Sequence, residues 1–539
     1  MNIKQAPAYL LKLSRNIDWN LLVFLLLFLN VKLIIKVAAI IFIFLARFNF
    51  RFGFKLKNSR LPLFYLIVIC IAVLNWTLYR SYKDTNYNFA LFTGICFWLA
   101  SILAIHQLKW SVDHHDPSMI HRTIMVFFII NALASFLNLA AIIWETGAIN
   151  PYLYQGNYQK YFIGTGDYIK GVTFDTSTTN AALNAFGIIY FLVRKQTVML
   201  LMCMVIFLLT ASNFANILLI AVFIYLFIFK TDRDQKSLIA ACFMLLVVFL
   251  GIISPQNNQY VDYTYKHLFF KAHATVKVPV KYIPIIERPD NTLNKEERKQ
   301  KFAILYLDSL FKVLETERES SLLPVIFKLK PFIPKPNIHT KFYQNRNDTT
   351  ASRMELLAFI RQNVRDLPIC SDTATDKKLL PGKIIALQQT LKLFKNNPRK
   401  IITGEGAGNF SSKLAFRTAG LKMAGGYPLN YRRINPYFLS NHLDLYLFFF
   451  SNQPKFHSLI NNPASVYNQL LGEYGIAGIL AFIFYYLGFF AKHRKLLTYG
   501  IPILFLLLGF FFIDYWFEQL SIVPFFELLL LVNIKENAN

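Results

Sequence analysis

The sequence predicts an all-α integral membrane protein of about 12 transmembrane helices, with one large, mainly helical insertion on the extracytoplasmic side. Three observations predict it. Of 539 residues, 55% are hydrophobic and only 16% charged, with a mean hydropathy of +0.39, too little charge to cover a soluble protein of this size. Apolar runs of roughly the 20 residues that cross a bilayer recur in both the first and the last parts of the chain. Between Pro255 and Ala464 the pattern stops, and that interval holds 32 Lys and Arg against 16 Asp and Glu. The formal charge of +27 is split between short loops and this insertion, a distribution that argues against nucleic acid as the partner.

Residues 1–254 are expected to supply about nine spans. Lys4, Lys12 and Arg15 precede the first apolar run, which lacks a small-residue cleavage site and reads as a retained helix, not a signal peptide. Residues 21–47 fit one long tilted helix or two short ones turning near Asn30 to Lys36. Further spans are read at 61–79, 88–108, 123–144, 178–193, 197–212, 214–229 and 237–253. Short cytoplasmic loops collect Lys and Arg. Arg47, Arg51, Lys55, Lys57 and Arg60 mark one such loop, and Arg194-Lys195, Lys230 to Lys236 and Lys492 to Lys495 mark others. These assignments place the insertion outside and require 21–47 to cross twice, with both termini cytoplasmic. Residues 466–539 supply the last three spans, at 466–490, 498–513 and 519–534. Glu527 falls inside the last of these, where an acid is a functional candidate by default, although Asp514 and Glu518 allow a later start.

The insertion, residues 255–465, is not a simple linker. Ile384, Leu387, Leu391 and Phe394 recur at helical spacing, with Gln388, Gln389, Lys392 and Lys395 opposite, and Asn396-Asn397-Pro398 stops the helix. Residues 301–313 and 353–365 are more weakly amphipathic, and the Pro-containing stretches 279–289 and 324–336 read as irregular. A helical domain lying on the membrane, its basic face toward headgroups or a bound anion, is the expectation. Cys370 is the insertion's lone cysteine, which excludes an internal disulfide there, and Cys70, Cys96, Cys203 and Cys242 lie in apolar segments. His114-His115-Asp116 with His121 reads as turn sequence, and no metal site is assigned.

Two motifs stand out. Pro381-Gly-Lys383 precedes the amphipathic helix, and Gly404-Glu-Gly-Ala-Gly-Asn-Phe410 follows it. Glycines permit a sharp turn that exposes backbone N–H groups to an anion; a plain structural turn is the alternative. The run lacks the Lys-Ser/Thr of a phosphate-binding P-loop. The second motif, Ser465-Val-Tyr-Asn-Gln-Leu-Leu-Gly-Glu-Tyr-Gly-Ile-Ala-Gly478, runs into an apolar helix. There Glu473 also suits a helix start, and Gly475 and Gly478 suit close helix packing.

The order and spacing of these motifs resemble the O-antigen polymerase and O-antigen ligase family. Its members carry a Ser-Gly-Arg, an amphipathic helix ending in Asn-Pro, a Gly-x-Gly-x-Gly-x-Phe turn and a later Glu-x-Gly-Ile-x-Gly helix start. Pro381-Gly382-Lys383, Asn397-Pro398, Gly404 to Phe410 and Tyr467 to Gly478 stand here in that order. Gly164-Thr-Gly166 and Gly171-Val-Thr-Phe-Asp175 occupy the place of an external loop, and Leu209-Thr-Ala-Ser-Asn213 that of a span ending in Thr-x-Ser-Arg. The resemblance covers about residues 145–490. Three departures are plain: Asn213 replaces an Arg, Lys383 replaces an Arg and loses its bidentate fork, and Ala464 stands where the ligase subgroup has a His.

The resemblance implies a metal-independent, cofactor-free glycosyltransferase of the bacterial inner membrane. Its substrate would be an undecaprenyl-pyrophosphate-linked oligosaccharide, polymerised at the periplasmic face into O-antigen, capsule or exopolysaccharide. Membrane lipids, a chain-length regulator and a flippase would be its neighbours. A ligase moving finished glycan to lipid A core or protein is the alternative, and a lipid-linked sugar flippase a more distant one. Lys383, Arg417, Arg432 and Arg433 are candidates to stabilise charge on the leaving pyrophosphate. Gly404, Gly406, Gly408 and Asn409, with Asn213 and Asp175, are candidates to hold the pyrophosphate or glycan. His442 is the candidate base, with Glu473 and Asp175 as alternatives.

Overall fold

A computed structural model of the protein describes residues 16–47, 49–153, 165–255, 381–419 and 459–538, with ten further positions between 427 and 446. Arg432, Cys370, Gly164, the basic residues before 16 and the weak patterns between 279 and 365 lie outside them. The described structure is all-α, as the sequence predicts.

The run 21–47 divides into α1 (Trp19–Phe28) and α2 (Leu33–Ala46), packed on each other. Asn30 turns the chain by accepting from Lys32 N (3.0 Å), and Lys36 Nζ reaches back to the Phe28 carbonyl (2.8 Å), filling an acceptor at the end of α1. Next come α3 (Phe64–Leu78), α4 (Thr85–His114) and α5 (Pro117–Thr146). Asp84 caps α4 through Tyr87 N, Pro117 opens α5, and Gly147 closes it in the left-handed conformation (φ 67°). His114-His115-Asp116 is the joint between the two long helices, where His115 Nδ1 lies 3.0 Å from Asp18 Oδ2.

Helix α6 (Ser177–Val193) is the central post, buried at every residue from Ser177 to Leu192. It is surrounded by α7 (Thr197–Leu209), α8 (Asn213–Phe229) and α9 (Arg233–Ile253), the last begun by a capping box between Asp232 and Gln235. Asparagines tie α5 and α6 to the preceding loop. Asn131 Oδ1 accepts from Val172 N (3.1 Å), Asn138 Oδ1 from Lys170 N and Gly171 N (3.0 Å each), and Asn180 Nδ2 donates to the Ile169 carbonyl (3.0 Å).

Helix α10 (Gly382–Asn396) forms where expected and ends at Asn397-Pro398. Its buried face differs from expectation. Ile385, Ala386, Gln389, Thr390, Leu393 and Phe394 turn inward, whereas Ile384, Leu387 and Leu391 are exposed. The helix is rotated because its polar groups have buried partners: Thr390 Oγ1 donates to Asn468 Oδ1 (2.7 Å) and Lys383 to buried carbonyls. A short helix α11 (Lys413–Thr418) follows the glycine turn.

Helix α12 (Val466–Ala491) begins at the second motif, and α13 is Gly500–Phe510. The last span starts later than expected, as α15 (Val523–Ala538), because residues 511–522 form a hook containing the one-turn α14 (Trp516–Gln519) and left-handed Leu520 (φ 58°). Glu527 lies within α15, receiving the Tyr65 hydroxyl. Among the described residues four helices are long and apolar enough to cross a membrane: Thr85–His114, Pro117–Thr146, Arg233–Ile253 and Val466–Ala491. Seven more apolar helices are shorter.

Candidate functional site

The two motifs meet. Gly475 breaks α12 with φ 66° and ψ −162°, freeing backbone groups on either side. The chain around the glycine turn takes them up: Glu405 N and Gly406 N donate to the Gly472 and Glu473 carbonyls (2.9 and 3.0 Å). Ile476 N and Ala477 N donate to those of Ile401 and Ile402 (2.9 and 3.1 Å). Gly404, Gly406 and Gly408 all have positive φ (71°, 98° and 72°), a region that costs other residues dearly. Space is equally restrictive, since a Cβ on Gly404 would lie 2.3 Å from the Glu473 carbonyl carbon and one on Gly475 2.4 Å from the Ile402 oxygen. From α3, Asn75 Nδ2 buttresses the turn through the Gly404 carbonyl (2.8 Å).

The turn does cradle a carboxyl group, but an internal one. Glu473 Oε2 accepts from Gly408 N (2.9 Å) and Oε1 from Phe410 N (3.1 Å), with the side chain fully buried. The expectation that these amides face an external phosphate is therefore corrected, and Glu473, committed to two amides, becomes a positioning residue instead of a base. Asn409 is also occupied: its Nδ2 donates to the Glu405 carbonyl (2.9 Å), and its Oδ1 receives Arg433. Arg433 further donates from Nε to Asp84 Oδ2 (2.6 Å) and stacks over Tyr87 (4.5 Å), so it braces α4 against the turn.

Two other expectations change. His442 is fully buried, with Nε2 taken by Asn468 Nδ2 (3.0 Å) and its ring 4.3 Å from that of Phe410. Burial pushes its pKa down to about 3, which leaves it neutral and a poor proton acceptor. Lys383 sits at the start of α10 with Nζ donating to the carbonyls of Ala464 and, at 3.0 Å, Ile513. Burial lowers it to about 7, so it pins α10 to the start of α12 and the end of α13 instead of meeting solvent.

Among the described residues near the turn, α11 carries two further cations, Lys413 and Arg417. Arg417 Nε is buried and has no hydrogen-bond partner among the described residues. Lys413 precedes it by four residues, hence on the same helix face. Both stand within electrostatic reach of Glu518, the acid of α14. Glu518 fixes α11 by accepting from Leu414 N (3.1 Å) and holds α12 by accepting from Gln469 Nε2 (2.7 Å). The Thr173 carbonyl accepts from Val31 N (2.8 Å), which sets the 171–175 loop against the turn between α1 and α2. Asp175 is buried and accepts from Thr179 Oγ1 (3.1 Å). Asn213 opens α8 just after Thr210 and Ala211, which pack on Gly166.

Sequence reasoning missed Lys413 and Glu518. The i,i+4 spacing of Lys413 and Arg417 was a usable signal, whereas nothing local marked Glu518 as a support for α11. No family model, curated protein or solved structure matches this chain.

Proposed function

We propose that the protein is a membrane-embedded glycosyltransferase that joins lipid-pyrophosphate-linked oligosaccharide repeats into a longer glycan. In this reading α1–α9, α12, α13 and α15 cross the bilayer as 12 spans, and the basic insertion stands with the glycine turn on the extracytoplasmic side. The observation that carries it is the junction itself. Both segments bearing the family-like motifs are locked together through Glu473, and Arg417, with an unpartnered buried Nε, projects beside them from α11 together with Lys413.

The chemistry follows from that charge. An acceptor hydroxyl forms a bond to the anomeric carbon of the donor while the bond from that carbon to the phosphate oxygen breaks. The pyrophosphate leaves with the electron pair, and the hydroxyl proton passes to a base. Lys413 and Arg417 stabilise the departing charge; a well-aimed contact of this kind contributes on the order of 2–4 kcal/mol to the barrier. With His442 neutral and Glu473 committed to the turn, Asp175 is the remaining candidate base. Glu518 keeps α11 in place.

Deleting the gene and analysing surface glycan and lipid-linked intermediates tests the reading. Acceptors or carriers bearing only single repeats are expected. Long polymer stranded on the carrier would instead mean a ligase, and substrate movement without lengthening a transporter.

A further inference from the structure

The loop joining α2 to α3 plays no part in the junction. Its sequence, Arg47-Phe-Asn-Phe-Arg-Phe-Gly-Phe-Lys-Leu-Lys-Asn-Ser-Arg60, largely alternates polar or cationic residues with apolar ones, and no Asp or Glu occurs from residue 19 to 83. Phe52 and Phe54 pack inward, their rings 6.0 Å apart, with Phe52 4.3 Å from the His106 ring of α4. Arg47 is committed to Asp18 and stacks on Trp110 (4.6 Å).

Arg51, Lys55, Lys57 and Arg60, by contrast, are exposed, and none of their side chains has a hydrogen bond or ion pair among the described residues. The loop is nonetheless closed: Gly53 is left-handed (φ 66°) and its carbonyl accepts from Arg60 N (3.2 Å). Leu56 is exposed among these cations, and Phe50, stacked on Phe44 (5.5 Å), keeps about half of its surface exposed beside them. The loop adjoins Phe64, the first residue of α3, whereas Asn75, near the other end of α3, holds the glycine turn. Along α4, Phe52 meets His106, whereas Arg433 beside the turn stacks on Tyr87, 19 residues earlier and at 1.5 Å per residue roughly 29 Å away, so the loop lies at the opposite end of the bundle.

We infer that residues 50–60 form a binding site for the headgroups of anionic phospholipid on the membrane face opposite the glycine turn. The four free cations meet lipid phosphates while Phe50 and Leu56 enter the acyl boundary, an arrangement in which charge and apolar contact reinforce each other. Phe52 and Phe54 anchor the loop to α4, and no carboxylate of the flanking sequence competes for the cations.

Full-length protein in phosphatidylcholine discs, with and without phosphatidylglycerol, tests this. Each surface cation is worth roughly fivefold in affinity for an anionic leaflet. The variant R51Q/K55Q/K57Q/R60Q should therefore bind titrated phosphatidylglycerol at least tenfold more weakly, by native mass spectrometry. Binding as tight as wild type overturns the proposal. If that variant fails to insert, amine-reactive labelling of the wild type decides: Lys55 and Lys57 should react more slowly in phosphatidylglycerol discs, and equal rates overturn it. Free glycerol phosphate added to phosphatidylcholine discs should not protect either lysine. Protection would assign the loop to a soluble phosphate and overturn the lipid assignment.

Discussion

Replacing Glu473 with Ala should open the glycine turn. The carboxylate satisfies the amides of Gly408 and Phe410 at 2.9 and 3.1 Å in a fully buried site. Water cannot readily replace it there, so the variant leaves two buried donors unpaired. At about 1–3 kcal/mol for each, the loss is about 2–6 kcal/mol, before any cost of the cavity. Glu473→Gln keeps one acceptor oxygen but sets an N–H against the second amide, so it should fall between wild type and Ala. Hydrogen exchange in detergent reads this directly, because a peptide covering residues 404–412 reports the affected amides. The expected result is strong protection in wild type, loss of it in Glu473→Ala and a lower melting temperature. Unchanged exchange and melting in the Ala variant would show that Glu473 does not hold the turn.

Three further outcomes are expected. Gly475→Ala places a Cβ 2.4 Å from the Ile402 oxygen and forces a backbone conformation (φ 66°, ψ −162°) open essentially only to glycine, which alone costs about 1–3 kcal/mol; its melting temperature should drop clearly, and a wild-type value would mean that the kink is dispensable. Arg417→Ala should lower glycan lengthening by about 10²–10³-fold while the protein still inserts and melts normally; full activity removes α11 from the site. For Lys383, burial holds the folded pKa at about 7 against 10.5, so above pH 7 the unfolded chain retains a proton that the folded chain has lost, and stability from this group rises with pH. The stability difference between wild type and Lys383→Met should therefore move in favour of wild type between pH 7 and about pH 9; a pH-independent difference contradicts the burial of this ammonium.

Much of the helical architecture is legible in the sequence because apolar runs and their caps are local. Asn30 and Lys32 divide the first run, Asp84 and Pro117 start α4 and α5, and Asn397-Pro398 stops α10. The site is less legible because its partners are distant in sequence. The glycine run reads as backbone amides open to a ligand, whereas the fold fills them with the side chain of Glu473, some 65 residues on. Periodicity likewise finds α10 but not its orientation, since Thr390 and Lys383 turn inward to meet Asn468, Ala464 and Ile513. His442 reads as an available base until Phe410 and Asn468 enclose it.

The most direct test of the account is lengthening by the protein alone. Purified protein in proteoliposomes would be given its host's undecaprenyl-pyrophosphate-linked repeat and the products resolved by size. The account predicts a ladder of repeat multiples on the lipid carrier that fails to form with Arg417→Ala. Single repeats left intact, or moved across the membrane without growth, would contradict it.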